Sequence, residues 1–182
     1  MVPANFDYVR ADSLGEAIRV LAELGEDAKV LAGGHSLIPL LKLRLARPTV
    51  IVDVARVEDL SYVREEGSEV AIGALSTHSM LECSAVLAEL VPLLSRVAGS
   101  IGDPQVRNRG TIGGSLAHGD GAADLPAAIL ALGATLVVEG PSGRREVAAG
   151  EFFRGFLETA LMPGELLVEV RVPKAPGPHS FL

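Results

Sequence analysis

The chain has 182 residues, with 16 lysines and arginines against 23 aspartates and glutamates, and hence a formal net charge of −7. A hydrophobic content of 48% with 21% charged residues is typical of a globular domain rather than a disordered chain. The acidic balance argues against a nucleic-acid partner, and no run approaches the ~20 apolar residues of a membrane span.

Residues 1–55 are predicted to form a β-α-β-α-β subdomain with a partly parallel sheet. Ser13 and Glu16 have the spacing of a capping box, and apolar residues then recur at helical spacing as far as Gly25. A short strand over residues 29–31 leads to a glycine pair, after which residue 36 is expected to begin a second helix. Residues 50–54 are predicted to form another strand.

Residues 56–175 are predicted to form a second α+β subdomain. A hairpin is expected around residues 65–68, and Thr77 and Ser84 are candidate N-caps for two helices, the second running over residues 86–97. Residues 99–115 are expected to be a glycine-rich loop, and Asp124 to cap a helix over residues 125–132. The remaining predicted elements are strands, over residues 134–139, 145–148 and 166–172. Residues 176–182 are assigned to a separate tail.

Metal chemistry is not indicated within the chain. Cys83 is the only cysteine, so it can neither form an internal disulfide nor supply the four ligands of an iron–sulfur cluster. The four histidines are far apart in sequence and form no short metal-ligand pattern. The opening residues lack a charged-then-apolar signal pattern, so a cytoplasmic location is expected, with peripheral association at the inner membrane face as the alternative.

Two similar glycine segments are the candidate functional site. The first comprises Ala32, Gly33, Gly34, His35, Ser36 and Leu37, and the second comprises Thr111, Ile112, Gly113, Gly114 and Ser115. Glycine pairs permit positive φ, which lets successive amide N–H groups point into one concavity that binds phosphate oxygens. A single glycine pair is most often only a turn, but two matching pairs favour paired amide nests around a pyrophosphate. Neither segment has the spacing of a Rossmann turn or a P-loop, so binding without hydrolysis is the better interpretation.

Two longer segments carry a family resemblance. The stretches AGGHSLIPLLKLRLARP and GDPQVRNRGTIGGSLAHGDGAADLPAAILALGA resemble the FAD-binding medium subunit of molybdenum hydroxylases, with the carbon monoxide dehydrogenase medium-subunit branch as the nearest match. The resemblance implies the α+β fold of the p-cresol methylhydroxylase/vanillyl-alcohol oxidase (PCMH) type, in which two α+β subdomains clasp FAD. It also implies that the family's C-terminal domain is lacking here, so that the flavin ring would be partly uncovered and FAD retained less firmly.

The resemblance also implies roles for residues and partners. The two glycine segments would bind the pyrophosphate, and Asp124 would accept a hydrogen bond from a ribose hydroxyl, with a plain helix N-cap as the alternative. Asp120 is a weaker candidate for that role. Arg107 and Arg109 would offset the phosphate charge, unless they are ordinary solvated arginines. Electrons would pass from [2Fe-2S] clusters of a small subunit to FAD and then to an external acceptor. A large subunit would hold the molybdenum cofactor, in a dimer of heterotrimers.

Two other functions remain open from the sequence. One is a stand-alone flavin reductase of the same fold, which would require a substrate base such as Ser115 or Asp120. The other is a truncated, non-catalytic nucleotide-binding domain. The sequence contains no nucleophile–base arrangement or paired catalytic carboxylates, so no catalytic residue is assigned. In each of the functions that involve a flavin, the flavin performs the chemistry, and the protein binds the flavin and tunes its reactivity.

Overall fold

The computed structural model describes residues 2–174, so the predicted tail over residues 176–182 lies outside the described residues. Ten strands run in chain order: β1 Asp7–Arg10, β2 Ala28–Leu31, β3 Val50–Asp53, β4 Val63–Glu66, β5 Glu69–Gly73, β6 Thr135–Gly140, β7 Gly143–Ala148, β8 Phe153–Gly155, β9 Glu158–Thr159 and β10 Leu166–Pro173. The helices are α1 Leu14–Leu24, α2 Leu37–Lys42, α3 His78–Glu82, α4 Ala85–Leu90, α5 Pro92–Ser100, α6 Pro104–Arg107, α7 Ile112–His118, α8 Asp124–Ala131 and α9 Ala149–Phe152.

Within residues 2–53, three strands form a sheet in the order β1-β3-β2. Both strand pairs are parallel, so the sheet is parallel throughout rather than only in part. Its connections contain α1 and α2, which is the β-α-β-α-β order predicted from the sequence. Ser13 caps α1 by accepting the Glu16 N–H, and Gly25 ends the helix with a positive φ of 57°. The Glu16 carboxylate accepts the N–H of Asp12, one residue before the cap position.

The second sheet has five antiparallel strands in the order β4-β5-β10-β6-β7. One face packs against the helices that follow β5, in a core that includes Ile72, Leu94, Ile129 and Leu136. The other face packs against α1 of the first sheet, where Val137 and Val168 join Ile18 and Leu21. The two sheets therefore share a hydrophobic core instead of being joined only by the chain.

Three predicted elements differ from the structure. The predicted helix over residues 86–97 is two helices, because Pro92 lacks an N–H and disfavours helical backbone at Val91, where φ is −143° and ψ is 59°. The predicted loop over residues 99–115 contains α6 and the start of α7. Asp124 is the first residue of α8 rather than its cap, a position that Ala123 occupies without a side-chain bond. Thr77 and Ser84 cap α3 and α4 as predicted.

Within residues 2–174, no helix combines the length and the apolar character needed to cross a bilayer.

Candidate cofactor-binding site

The two glycine segments meet in the structure although they are far apart in sequence. A Cβ built on Gly33 would lie 2.2 Å from the backbone oxygen of Arg109 and 2.9 Å from the Cα of Gly110. A Cβ built on Gly114 would lie 4.0 Å from the Cβ of Ala32. The first glycine loop (residues 32–37) therefore packs directly on the segment that leads into the second glycine loop (residues 111–115).

A cavity of about 80 Å³ opens along this contact. It is lined by residues of both glycine loops and of the segments beside them: Ala32, Gly33, Ala55, Leu75, Thr77, Asn108, Arg109 and Thr111. The sequence predicts Ala32, Gly33 and Thr111 as binding residues and Arg109 as a candidate, but it does not identify the other four lining residues as part of a site. For Thr77 a signal existed, since its capping pattern was recognised, but only its antiparallel bridge to Thr111 brings it to the cavity.

The first glycine loop presents free backbone donors. Among the described residues, the amide N–H groups of residues 33–36 donate no hydrogen bond. Gly34 has a φ of +81°, whereas Gly33 has a negative φ and is required by its contact with Arg109. Only one of the two glycines thus meets the expectation of positive φ, yet the loop leaves four successive N–H groups available to an anion.

The second glycine loop does not form the amide nest that the sequence predicted. The N–H groups of Ile112 and Gly113 donate to the carbonyls of Ser76 and Ala74, at 3.0 and 2.8 Å. The Gly114 N–H donates to Oγ1 of Thr111, which caps α7. Neither glycine of this loop has a positive φ, because both lie in the helix. This side of the cavity offers hydroxyl groups instead, since Thr77 and Thr111 accept backbone bonds and keep their O–H protons to donate.

The other candidate residues occupy varied positions. His35 and Ser36 are exposed, Leu37 is the first residue of α2, and Ser115 is half-buried. Ile112 is fully buried in the core below the second glycine loop, which excludes its side chain from ligand contact. Gly113 is buried against Ala74.

The two candidate aspartates are near each other in sequence but differ in their bonding. Asp124 is exposed on the first turn of α8, and its carboxylate makes no hydrogen bond among the described residues. Asp120 accepts the N–H of Ala122 in a local turn. Asp124 therefore keeps its carboxylate available, and its proposed contact with a ribose stays a prediction.

The two arginines considered as phosphate ligands have different environments. The Arg107 guanidinium donates to the Glu82 carboxylate at 2.8 Å and to the Ile101 carbonyl at 3.1 Å, so it joins α6 to α3 and α5. Arg109 is exposed at the cavity and forms no ion pair within residues 2–174. Arg109 is thus free to face an anion, whereas Arg107 has a structural role.

His78 lies beside the cavity as the first residue of α3 and is only 5% exposed. Burial, together with a smaller effect of His35, lowers the pKa of the His78 imidazole from 6.5 to about 4, so the ring is neutral near pH 7. In the described part of the chain, no group of three or more His, Cys, Asp or Glu side chains is arranged to hold a metal ion.

The two glycine loops border a cleft that offers amide, hydroxyl and arginine donors, and comparisons with known proteins identify the family. Residues 4–175 match the family model described as the FAD-binding domain in molybdopterin dehydrogenase. The chain is 50% identical to the carbon monoxide dehydrogenase medium chain of Hydrogenophaga pseudoflava over 95% of its own length and 60% of that protein. It is 47% identical to the 6-hydroxypseudooxynicotine dehydrogenase complex subunit alpha of Paenarthrobacter nicotinovorans, over 97% of this chain and 60% of that subunit.

Solved structures give the same result. A crystal structure of the Cu,Mo-CO dehydrogenase contains a chain that superposes with a TM-score of 0.95 at 47% identity, covering 97% of this chain and 62% of that one. The protein therefore belongs to the family of FAD-binding domains of molybdopterin dehydrogenases. It spans about 60% of the length of these relatives. The PCMH-type α+β fold expected from the sequence is confirmed.

The reductase alternative has a structural counterpart only at the level of fold. UDP-N-acetylenolpyruvylglucosamine reductase from Thermus caldophilus aligns with a TM-score of 0.61 at 20% identity.

Proposed function

We propose that the cleft between the two glycine loops binds the diphosphate of FAD. The observation that carries this proposal is the contact of Gly33 with the Arg109 backbone, which places the free amides of the first loop beside the hydroxyls of Thr77 and Thr111. The Arg109 backbone occupies the space that a Cβ at residue 33 would fill, so the two segments approach this closely only because residue 33 is glycine. Amide and hydroxyl donors with one arginine suit a group that carries two negative charges.

Each side of the cleft would have a separate task. The first glycine loop would bind phosphate oxygens through the N–H groups of residues 33–36, and Arg109 would offset part of their charge. The second glycine loop would contribute the Thr111 hydroxyl, held in position by its bond to the Gly114 N–H. Asp124 would accept a hydrogen bond from a ribose hydroxyl. The bound flavin would supply one- and two-electron transfer, for which no catalytic side chain is assigned.

We further propose that the protein acts as the FAD-binding, electron-transferring subunit of a molybdenum hydroxylase complex similar to carbon monoxide dehydrogenase. The support is the 47–50% identity to subunits of dehydrogenase complexes, among them a carbon monoxide dehydrogenase medium chain. The partners would be a small subunit with two [2Fe-2S] clusters and a large subunit with the molybdenum cofactor, as a dimer of heterotrimers. The high identity to these subunits favours this function over a stand-alone reductase, since the reductase relative is only 20% identical.

A flavin titration tests the cofactor proposal. The purified chain is incubated with FAD, and separately with FMN, which has one phosphate and no adenylate. We expect flavin absorbance bands to stay with the protein after gel filtration, in a one-to-one ratio for FAD and at a lower ratio for FMN. A colourless protein after incubation with excess FAD would overturn the proposal.

A second experiment tests the complex. The chain is co-expressed with the small and large subunits of a carbon monoxide dehydrogenase-type complex, and the mass of the assembly is measured by native mass spectrometry. We expect one copy of each subunit with FAD on this chain, repeated twice in the full assembly. Flavin that is reduced by a nicotinamide cofactor without partner subunits would favour the reductase function instead.

A further inference from the structure

His78 supports the place where the two glycine loops meet. Its backbone N–H donates to the Gly110 carbonyl at 2.9 Å. Its ring lies against the same residue: a Cβ built on Gly110 would be 2.6 Å from Nε2 and 2.7 Å from Cδ2 of the imidazole. The ring therefore occupies the volume that a side chain at residue 110 would need.

Gly110 is also in contact with the first glycine loop. The Cβ that Gly33 lacks would be 2.9 Å from the Cα of Gly110. A direct series of contacts thus runs from the His78 ring through Gly110 to Gly33. Neither glycine has a positive φ, so both are required by close approach rather than by backbone conformation.

Among residues 2–174, the imidazole makes no hydrogen bond, and its buried Nδ1 has no hydrogen-bond partner. An unpaired buried nitrogen lowers stability, so the presence of a histidine at this position is not explained by hydrogen bonding. The ring is neutral near pH 7, because burial and then the charge of His35 lower its pKa. The His78 ring therefore contributes through its shape, because it is a flat group that fits behind Gly110.

We infer that His78 is a positioning residue for the cofactor cleft. Its ring holds Gly110 against Gly33, and it also keeps Thr77 opposite Thr111. The inference rests on the proposed function of the cleft. In this inference His78 does not touch the ligand. It sets the distance between the two glycine loops, which do touch the ligand. A ring of another kind would serve, whereas a small side chain would let Gly110 retreat from Gly33 and widen the cleft.

A purely structural role for His78 gives a different expectation. In that case His78→Ala would lower thermal stability but leave FAD affinity unchanged below the melting temperature. Leu81→Ala provides the matched control, because Leu81 is fully buried one turn further along α3. It removes core volume from the same helix, whereas the atoms nearest the Cβ position of Gly110 belong to His78 and Val106.

The test is a double-mutant cycle read as the dissociation constant of FAD. We expect His78→Ala and Gly110→Ala each to weaken FAD binding about tenfold, the first by removing the ring and the second by displacing it. In His78→Ala/Gly110→Ala the new methyl group enters the space left by the ring, so binding returns to within about threefold of wild type. His78→Phe should also bind within about threefold, and Leu81→Ala should bind as wild type does.

Additive losses in the double variant, or unchanged affinity in His78→Ala, would overturn the inference. Hydrogen exchange at the Ile38 amide provides a readout without ligand, because this amide bonds to the Gly34 carbonyl in the first glycine loop. We expect faster exchange there in His78→Ala and Gly110→Ala, but not in the double variant or in Leu81→Ala. A wild-type chain that takes up no FAD would disprove the proposed function, and the exchange at Ile38 would then decide the role of His78.

Discussion

The Cα of Gly33 lies against the backbone of Arg109 so closely that a Cβ on Gly33 would be 2.2 Å from the Arg109 oxygen. A backbone atom cannot rotate away as a side chain can, so the loops must separate to admit even a methyl group. Contact between distant loops, not a left-handed φ, is therefore the reason for glycine at this position.

Gly33→Ala should consequently weaken FAD binding by about tenfold or more, and overpacking should cost about 1–3 kcal/mol in the free energy of unfolding. Fluorescence titration and urea unfolding measure the two effects. Gly15→Ala is the matched control, because nothing lies within 4 Å of its Cβ position in α1. Alanine there should leave FAD affinity unchanged and raise stability by up to about 1 kcal/mol. Equal FAD affinity of the two variants would contradict the contact between the loops.

Arg109→Ala should affect FAD binding, whereas Arg107→Ala should affect stability. Arg109 faces the cavity without an ion pair among residues 2–174, so its loss should weaken FAD binding several-fold and make it less sensitive to salt. Arg107 bonds to Glu82 and to the Ile101 carbonyl, so its loss should lower the free energy of unfolding by about 1–2 kcal/mol.

The control for both arginine variants is Arg19→Ala, since Arg19 pairs with Glu23 on the exposed surface of α1. It should change neither FAD affinity nor stability measurably. If Arg107→Ala weakened FAD binding more than Arg109→Ala, the roles assigned to the two arginines would be reversed.

Local patterns predicted much of the fold because local interactions determine those elements. The caps at Ser13, Thr77 and Ser84 depend on a side chain and an N–H only three residues apart. The paired glycine segments were found in the same way, by their similar spacing. Pro92 shows the limit of periodicity, since the apolar pattern continues through a residue that interrupts the helix.

The contacts of the cleft could not be derived from local patterns. The second amide nest was wrong because Ser76 and Ala74, distant in sequence, accept the N–H groups of Ile112 and Gly113. Thr77 lines the cavity only because it bridges to Thr111. Partners that are many residues apart leave no periodic signal in a single sequence.

Acid should destabilise the protein through His78. Its pKa is about 4 in the folded chain against 6.5 in the unfolded chain, so the unfolded state binds more protons between these values. The contribution of the neutral His78 ring to stability is fully present above about pH 6.5 and is lost as the pH falls toward 4. The loss amounts to up to about 3 kcal/mol in the free energy of unfolding. Urea unfolding from about pH 7 to about pH 4.5 should show a smaller decline for His78→Phe, which cannot be protonated. Parallel curves for the two proteins would refute this.

The carboxylate of Glu169 on β10 should make a major contribution to the stability of the fold. It is 3% exposed and accepts from the Tyr62 hydroxyl at 2.5 Å and from Nε of Arg171 at 2.6 Å. Burial alone raises the pKa of Glu169, but these hydrogen bonds outweigh burial and hold the pKa below its usual value. A lowered carboxyl pKa means that this stability is present above about pH 4.5 and is lost as the pH falls.

Glu169→Gln keeps the shape but removes the charge, which leaves Arg171 without its buried partner. We expect a loss of about 3 kcal/mol in the free energy of unfolding near neutral pH, measured by urea unfolding. Glu66→Gln is the control, because Glu66 pairs with Arg64 on the surface with 42% of its side chain exposed, and it should change stability by less than about 1 kcal/mol. Tyr62 and Arg171 both donate to the charged carboxylate of Glu169. If Glu169→Gln lost no more free energy of unfolding than Glu66→Gln, the charge would not contribute, and Glu169 would act only as a neutral hydrogen-bond acceptor.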